Sequence, residues 1–357
     1  MISFELSEEQ EIIRSTMRDI AQSVLAGEAR SNDRNGAISV KVLNTIWQAG
    51  IVQAQADRDS RSPISNALVL EELAAGDASV ALAVAAASGF VQAITDQGSD
   101  KQRESLLATL EGESFITGTI AAMEPSFASD VTRPATKVRR TGENYVLSGR
   151  KSMVPLADRS SHFLVIADLE GASDAFIVAR DTPGVSIEAS SVLGLRGLAL
   201  GQVVLENVSI PANMRLGEGN GSDVQHIVDS ARTGLSAAML GLARAVMEHI
   251  VPYTKERVVH GTPLAQKQKV AFDIADMRID TDAMRWMTWK AAWALENDQP
   301  ATRLAQLAHT FAGQQTMQIA DNGLQSMGGH GFVEEHPMEM WYRNARSLSM
   351  LEAVAGV

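Results

Sequence analysis

Gln325-Ser326-Met327-Gly328-Gly329-His330-Gly331-Phe332, followed by Glu334-Glu335-His336-Pro337, Trp341-Tyr342-Arg343-Asn344-Ala345-Arg346 and Met350-Leu351-Glu352, is the stretch on which the reading of this chain turns. Three glycines within four positions remove the Cβ atoms that hold a backbone away from a flat or charged ligand, and they permit positive φ. A close-approach turn is expected here. Phe311, Met317, Ile319 and Leu324, set among alanines and glutamines, make a helical pattern ahead of it, and a glycine pair is where such a helix stops. Beyond the turn a lone carboxylate, Glu352, stands among Met350, Leu351, Ala353 and Val354, where burial would raise its pKa towards that of a useful base. A solvent-facing carboxylate near a chain end fits the same residues, and pattern alone leaves both readings open.

The whole chain has 357 residues, 45% of them hydrophobic and with no low-complexity tract, enough for two or three domains with substantial cores. It contains no cysteine, so disulfides, thiolate metal sites and cysteine nucleophiles are excluded and a reducing compartment is unopposed; a cytoplasmic location is expected. Met1-Ile2-Ser3-Phe4-Glu5-Leu6 sets no basic region ahead of an apolar core, so no secretory signal is expected. The longest apolar run, residues 78–94, is alanine-rich and broken by Ser88 and Gly89, which predicts a buried helix rather than a membrane span. A net charge of −12 argues against a nucleic-acid partner.

Taken in order, residues 7–112 predict helices almost throughout. Ser7-Glu8-Glu9-Gln10 ahead of Ile12-Ile13 reads as a capping box, and Ile12, Ile13, Met17, Ile20, Val24 and Leu25 recur at three-to-four spacing. Residues 42–51 repeat that pattern and stop at Gly50. Residues 64–76 and 78–94 form an apolar pair joined at Gly76-Asp77, with Asp77 or Ser79 as cap, and 101–110 closes the group. Short β-rich runs follow at 115–121, 135–140, 144–148, 161–167, 175–179, 185–189 and 202–210, punctuated by turn residues such as Thr182-Pro183-Gly184; that spacing predicts a compact antiparallel β domain. Helical periodicity returns at 227–254, 264–295 and 301–324, as in an antiparallel bundle. The expected architecture is α+β: an N-terminal helical domain over 1–114, a central antiparallel β domain over 115–221 and a C-terminal four-helix bundle over 222–357.

That domain order and the motifs within it resemble the acyl-CoA dehydrogenase superfamily. The stretch 325–352 is similar to the family's C-terminal signature. Met123-Glu124-Pro125 with Ser129-Asp130-Val131 resembles its Thr-Glu-Pro-Gly-x-Gly-Ser-Asp loop, and Tyr145-Val146-Leu147-Ser148-Gly149-Arg150-Lys151 its Tyr-x-Leu-Asn-Gly-x-Lys hairpin. Leu193-Gly194-Leu195-Arg196-Gly197 and Val208-Ser209-Ile210-Pro211 resemble the exit from its β domain; Arg257, Gly261, Pro263 and Gln268 fit Arg-x-x-Phe-Gly-x-Pro-(x)4-Gln, followed by Ala275-Asp276-Met277.

The resemblance implies FAD at a subunit interface. Arg257, His260, Gln268, Gln325, Gly328 and Gly329 are then offered to the adenosine-pyrophosphate part of a neighbour's flavin, since a guanidinium gives paired donors to phosphate oxygens and glycines let a backbone approach. Met123, Ser129, Met153 and Pro155 face this chain's own cofactor, and Arg232 with Ser129 faces the substrate. Glu352 aligns with the base that takes the α proton of an acyl thioester while flavin N5 accepts the β hydrogen as hydride. The family's alternative base position falls near Ala231, which carries no acid. Asp229-x-x-Arg232 matches a family pair that orders the base or substrate, and an ordinary helix ion pair fits it equally.

Departures run through one half of the pattern. Met123 replaces the threonine that contacts the flavin pyrimidine, Ser126-Phe127-Ala128 replaces Gly-x-Gly, Met153-Val154-Pro155 replaces Trp-Ile-Thr, and His260 replaces a phenylalanine. Pro155 has no N–H to donate and methionine offers only soft packing. After Glu352 come Ala353-Val354 where the family has Gly-Thr, and no terminal helix, so closing contacts over the flavin are expected to differ. This asymmetry is what one subunit of a hetero-oligomeric member would show.

The expected function is FAD-dependent α,β-dehydrogenation of an acyl-CoA or acyl-carrier thioester, in a homo- or hetero-tetramer passing electrons to electron-transfer flavoprotein or a similar acceptor. A half-site partner subunit of a paralogous chain is the alternative, and a flavin monooxygenase on the same fold a further one. Gly217-Glu218-Gly219-Asn220-Gly221 has the wrong spacing for a dinucleotide fingerprint and is expected to turn the chain into the bundle. His330 to His336 lacks helical ligand spacing for a metal, and Trp286, Trp289 and Trp293 step as core or subunit interface.

Overall fold

The computed structural model describes residues 5–112, 115 and 118–357. Met1 to Phe4, residue 114 at the expected domain boundary, and residues 116 and 117 of the first expected strand lie outside the described residues.

The first helix, α1 (Glu8–Ile20), opens on the capping box read from sequence: Gln10 N–H donates to Ser7 Oγ at 3.2 Å and Ser7 N–H to Gln10 Oε1 at 3.0 Å. It passes through one π turn, Ala21–Leu25, into α2 (Ala26–Asn35), which stops at Gly36 with φ +66°. Then come α3 (Val40–Gln48), α4 (Pro63–Gly76), α5 (Ala78–Gln97) and α6 (Asp100–Leu107). Asp77 ends α4 and starts α5: it accepts from Ser79 N–H at 2.8 Å and from Asn32 Nδ2 at 3.0 Å. Burial pushes its carboxyl up to about 6. The α5 helix is long and apolar enough to cross a membrane, yet its apolar window is wholly buried inside the protein.

Seven strands follow: β1 (Gly118–Ala121), β2 (Lys137–Thr141), β3 (Asn144–Val154), β4 (His162–Leu169), β5 (Ala172–Ala179), β6 (Val185–Ala189) and β7 (Gly201–Pro211). Their order is β1-β4-β2-β3-β7-β6, with β5 on the other side of β4. Four pairings are antiparallel, as expected. The expectation of a wholly antiparallel domain fails at β4, which runs parallel to both β1 and β2: Ala121 pairs with Val165, and Lys137 with Asp168. Because β1 and β2 follow one edge of β4 end to end in the same direction, residues 122–136 between them must leave the sheet and return. That excursion carries Met123, Glu124 and Ser129.

Period-two alternation gives β4 and β5 two apolar faces. Phe163, Val165, Ala167, Phe176 and Val178 point into the β core, whereas Leu164, Ile166, Ala175 and Ile177 pack against Phe90 and Ile94 of α5 and against the start of the next helix. That helix, α7 (Val224–Glu256), is entered through a single tight turn between Gly217 (φ +70°) and Gly221 (φ +71°), as the glycine run predicted. The short ribbon β8 (Val258–Val259) and β9 (Thr262–Pro263) precedes α8 (Gln268–Glu296), so the helix expected from residue 264 starts four residues later. The bundle closes with α9 (Thr302–Met327) and α10 (Met338–Leu348). Trp286 and Trp293 are 46% and 50% exposed and stand outside the core, contrary to the core alternative.

The α7 helix is the hub, buried along most of its length against α4, α5, α8 and α9. Its approach to α4 depends on Gly241, where a Cβ would overlap the carbonyl oxygen of Glu71. Gly241→Ala is expected to lower folding stability by about 1–3 kcal/mol through overpacking. In the control, Gly27→Ala on the open face of α2, where a Cβ meets nothing within 4 Å, stability should hold or rise by about 0.5–1 kcal/mol; chemical denaturation of both variants checks the pair.

Candidate active site

Glu352 follows α10 in a short segment pinned by three neighbours. The His309 ring of α9 sits with Nε2 at 3.0 Å from Leu351 O, and since a carbonyl only accepts, Nε2 carries the hydrogen. Burial holds the His309 pKa below its ordinary value, although the nearby Glu352 charge pulls the other way. Glu352 N–H donates to Met123 Sδ at 3.2 Å. The Glu352 side chain, 29% exposed, pairs with Arg232 of α7, 13% exposed. Both guanidinium contacts, Nε at 2.9 Å and Nη2, fall on Oε1. Among the described residues no hydrogen bond reaches Oε2.

The carboxylate is therefore not alone, as the sequence suggested, and Arg232 is not paired with Asp229. Asp229 accepts instead from Gln225 Nε2 at 2.7 Å and Thr302 Oγ1 at 2.5 Å. Residues three apart in a helix are neighbours, but here Arg232 turns to Glu352 and Asp229 to Gln225 of its own helix and Thr302 of α9.

The loop carrying Met123 is fixed from beneath. Lys151 of β3 is fully buried, and its Nζ donates to Ala122 O at 3.0 Å and Glu124 Oε1 at 2.8 Å. Glu124 also accepts Ala135 N–H at 2.7 Å and Thr136 N–H at 2.8 Å, while its own N–H donates to Ser129 Oγ at 3.2 Å. Burial pushes Lys151 down to about 8 despite Glu124. For Glu124 burial acts upward, but Lys151 and Thr136 together hold it below the usual carboxylate range.

The C-terminal stretch is joined to the β domain by the residues of two motifs. Gly194 N–H donates to Ser347 Oγ at 3.1 Å, Leu195 N–H to Asn344 Oδ1 at 2.7 Å, and Arg343 Nη1 to Leu193 O at 3.0 Å. A Cβ at Gly194 would overlap the Arg343 carbonyl.

A second group gathers at the far end of α7. Arg257 caps that helix and is exposed; His260 (φ +54°) and Gly261 (φ +79°) form the tip of the β8–β9 ribbon, and Gln268 opens α8. Tyr253 Oη, 3.0 Å from His330 Nδ1, brings the Gln325 to Gly329 turn to the same end. Gly328 (φ +56°) ends α9 as expected, and it and Gly329 are exposed with nothing within 4 Å of a built Cβ. Arg232 and Arg257 are 25 residues apart on or at the cap of one helix, roughly 37 Å at ~1.5 Å per residue. One chain does not bring the two groups together.

Comparison with known proteins decides the family. Residues 7–113, 119–208 and 219–352 match, in that order, the acyl-CoA dehydrogenase N-terminal, middle and C-terminal domains. The chain belongs to the acyl-CoA dehydrogenase superfamily. It is 28% identical to the probable acyl-CoA dehydrogenase YngJ of Bacillus subtilis, over 100% of this chain and 97% of that protein. It is also 28% identical to the mitochondrial short-chain specific acyl-CoA dehydrogenase of Bos taurus, over 99% and 89%. Among solved structures, butyryl-CoA dehydrogenase from Megasphaera elsdenii superimposes with a TM-score of 0.89 at 27% identity, covering 98% of this chain and 95% of that one. The chain is thus an acyl-CoA dehydrogenase-like oxidoreductase.

The superfamily implies a flavin, and the two groups differ in their fit to one. The exposed end fits the charged half: an exposed guanidinium, two glutamines and a glycine turn open to close approach. The Glu352 end offers a ring few donors. Met123 turns its sulfur to Glu352 N–H, Met153 (φ +53°) packs against the main core, and Pro155 is buried. His309, Thr302 and Glu124 as the partner of Lys151 escaped sequence reasoning as site residues, because spacing carries no signal for contacts made across elements; Gln225, four residues before Asp229 on α7, did carry such a signal and was missed.

Lys151→Met strands Glu124 in the interior and should lower stability by about 3–5 kcal/mol. Adding Glu124→Gln, which removes the orphaned charge while keeping an acceptor for Thr136, should recover more than half of that loss by urea denaturation.

Proposed function

We propose that this chain catalyses FAD-dependent α,β-dehydrogenation of an acyl-CoA or acyl-carrier thioester, with Glu352 as the base. One observation carries the reading: Arg232 holds Oε1 of Glu352 while Oε2 is left open on a partly exposed carboxylate. A carbon acid beside a thioester is weak, so the base must be held at a fixed place and with one lone pair uncommitted. Arg232 fixes the carboxylate from α7, His309 and Met123 fix the backbone on either side of its amide, and Oε2 takes the α proton. When bound, FAD supplies the acceptor for the β hydrogen with its electron pair, and an electron-transfer flavoprotein or similar protein is the proposed onward acceptor. The relatives' names support the thioester class: short-chain acyl-CoA for the bovine protein and butyryl-CoA for that of Megasphaera elsdenii.

A second reading is favoured by Met123, Met153 and buried Pro155: the chain lends its Arg257 and Gly328-Gly329 end to a paralogous subunit with a complete ring-binding half. Both readings require assembly, in a homo- or hetero-tetramer by the family pattern, because the two residue groups lie at opposite ends of α7.

Glu352→Gln should lower kcat for acyl-CoA dehydrogenation by about 10²–10⁴-fold with flavin content unchanged, read as anaerobic flavin bleaching by butyryl-CoA. Unchanged bleaching would remove Glu352 from the chemistry. Flavin content of the chain purified alone and with its paralogue separates the two readings: yellow protein alone supports the first, colour only on co-expression the second.

A further inference from the structure

Beyond Glu352 the backbone reverses at Ala353 (φ +53°) and residues 353–357 pass into the interior. Ala353 and Ala355 are 0% exposed, Val354 1% and Val357 3%. They fill a slot between α5 and α7 that glycines keep open on both walls. A Cβ on Gly89 of α5 would stand 2.8 Å from Ala355 O, and one on Gly234 of α7 3.1 Å from Gly356 O. Polar ties are few. Ser230 Oγ accepts Val357 N–H at 3.1 Å and donates to Val357 O at 3.3 Å, and among the described residues no other hydrogen bond holds 353–357. Past the segment lies a polar cleft of about 920 Å³, with Ala355 and Val357 on its inner wall and Arg58, Arg61, Asp96 and Glu296 among the charged residues around it.

A slot that starts at Glu352 and runs between two apolar helices, ending short of a polar cleft, is a path for a hydrocarbon chain of limited length; here the protein's own backbone occupies it. We propose that residues 353–357 set the acyl-length limit of this chain, admitting short acyl groups and excluding long ones. The inference rests on the thioester reading above. Each methylene that enters an apolar slot tightens binding by about fourfold, whereas one that meets a filled slot remains in water or must expel the segment.

The test compares the full chain with a variant lacking residues 354–357 and with Ser230→Ala, which removes both hydrogen bonds to Val357. Calorimetry with butyryl-, octanoyl- and dodecanoyl-CoA should show affinities within about threefold of one another for the full chain. The shortened variant should bind dodecanoyl-CoA at least about a hundredfold tighter than butyryl-CoA, with Ser230→Ala between them. An affinity that already climbs with chain length in the unaltered protein, or one that stays flat in both variants, overturns the proposal. Binding of an anilinonaphthalene dye does not depend on thioester chemistry: one new dye site in the shortened variant supports the filled slot, and its absence sinks it. Failure of every acyl-CoA to bind any of the three proteins, with the dye site gained, would instead overturn the thioester reading.

Discussion

Two adjacent carboxylates in the middle of α4, Glu71 and Glu72, are 4% and 1% exposed, and the arrangement of the helices follows from the need to neutralise them. Neighbours in a helix point about 100° apart, so a cation lying between them leaves a second side of each carboxylate to be met from another helix. Arg244 of α7 reaches Glu72 at 2.5 Å and Glu71 at 3.4 Å; Arg18 of α1 completes Glu72 at 2.8 Å, and Arg285 of α8 completes Glu71 at 3.2 Å. Removing both partners of either carboxylate would leave an uncompensated interior charge, a cost of several kcal/mol. The node therefore fixes the axial position of α7 against α4, α1 and α8. Gly241, one turn before Arg244, lets the two backbones come close enough for the pairs to form. With α7 fixed, Arg232 is delivered to Glu352 at one end and Arg257 to the surface at the other.

Local punctuation made most of the fold legible. The Ser7 capping box, Asp77 between two apolar helices, the Gly217 to Gly221 turn and the end of α9 at Gly328 are each written in consecutive residues, and each appears where expected. The strands were visible because turn residues bracket them. Their directions were not: whether β4 lies parallel to β1 and β2 depends on partners more than 25 residues away, and alternation along one strand says nothing about its neighbour. The β8–β9 ribbon escaped because two-residue strands have no period to detect.

The site was legible by resemblance far more than by pattern. Periodicity left Glu352 between a buried base and a surface acid; the structure gives a carboxylate that is partly exposed and ion-paired. Of the two readings left open for Arg232, the helix ion pair with Asp229 is not formed, and Arg232 meets Glu352, the residue the resemblance had it order. Lys151 and Glu124 each fell inside a quoted motif, yet their pairing across 27 residues has no trace in either motif alone. It comes from β3 lying under the excursion between β1 and β2.

The length of α7 then constrains assembly. If one flavin is to touch both residue groups, it must lie where the Glu352 end of one chain meets the Arg257 end of another. Two identical chains related by a two-fold axis would form two equal sites, each with the same methionines and buried proline facing the ring. Two different chains would form unequal sites, one combining this chain's Glu352 end with the partner's charged end, the other combining this chain's open guanidinium and glycines with whatever donors the partner supplies. The departures at Met123, Met153 and Pro155 weaken only the first of those. Flavin would accordingly favour the second site, and an assembly of equal numbers of both chains would hold about one flavin per pair where a symmetric assembly with intact ring contacts holds two.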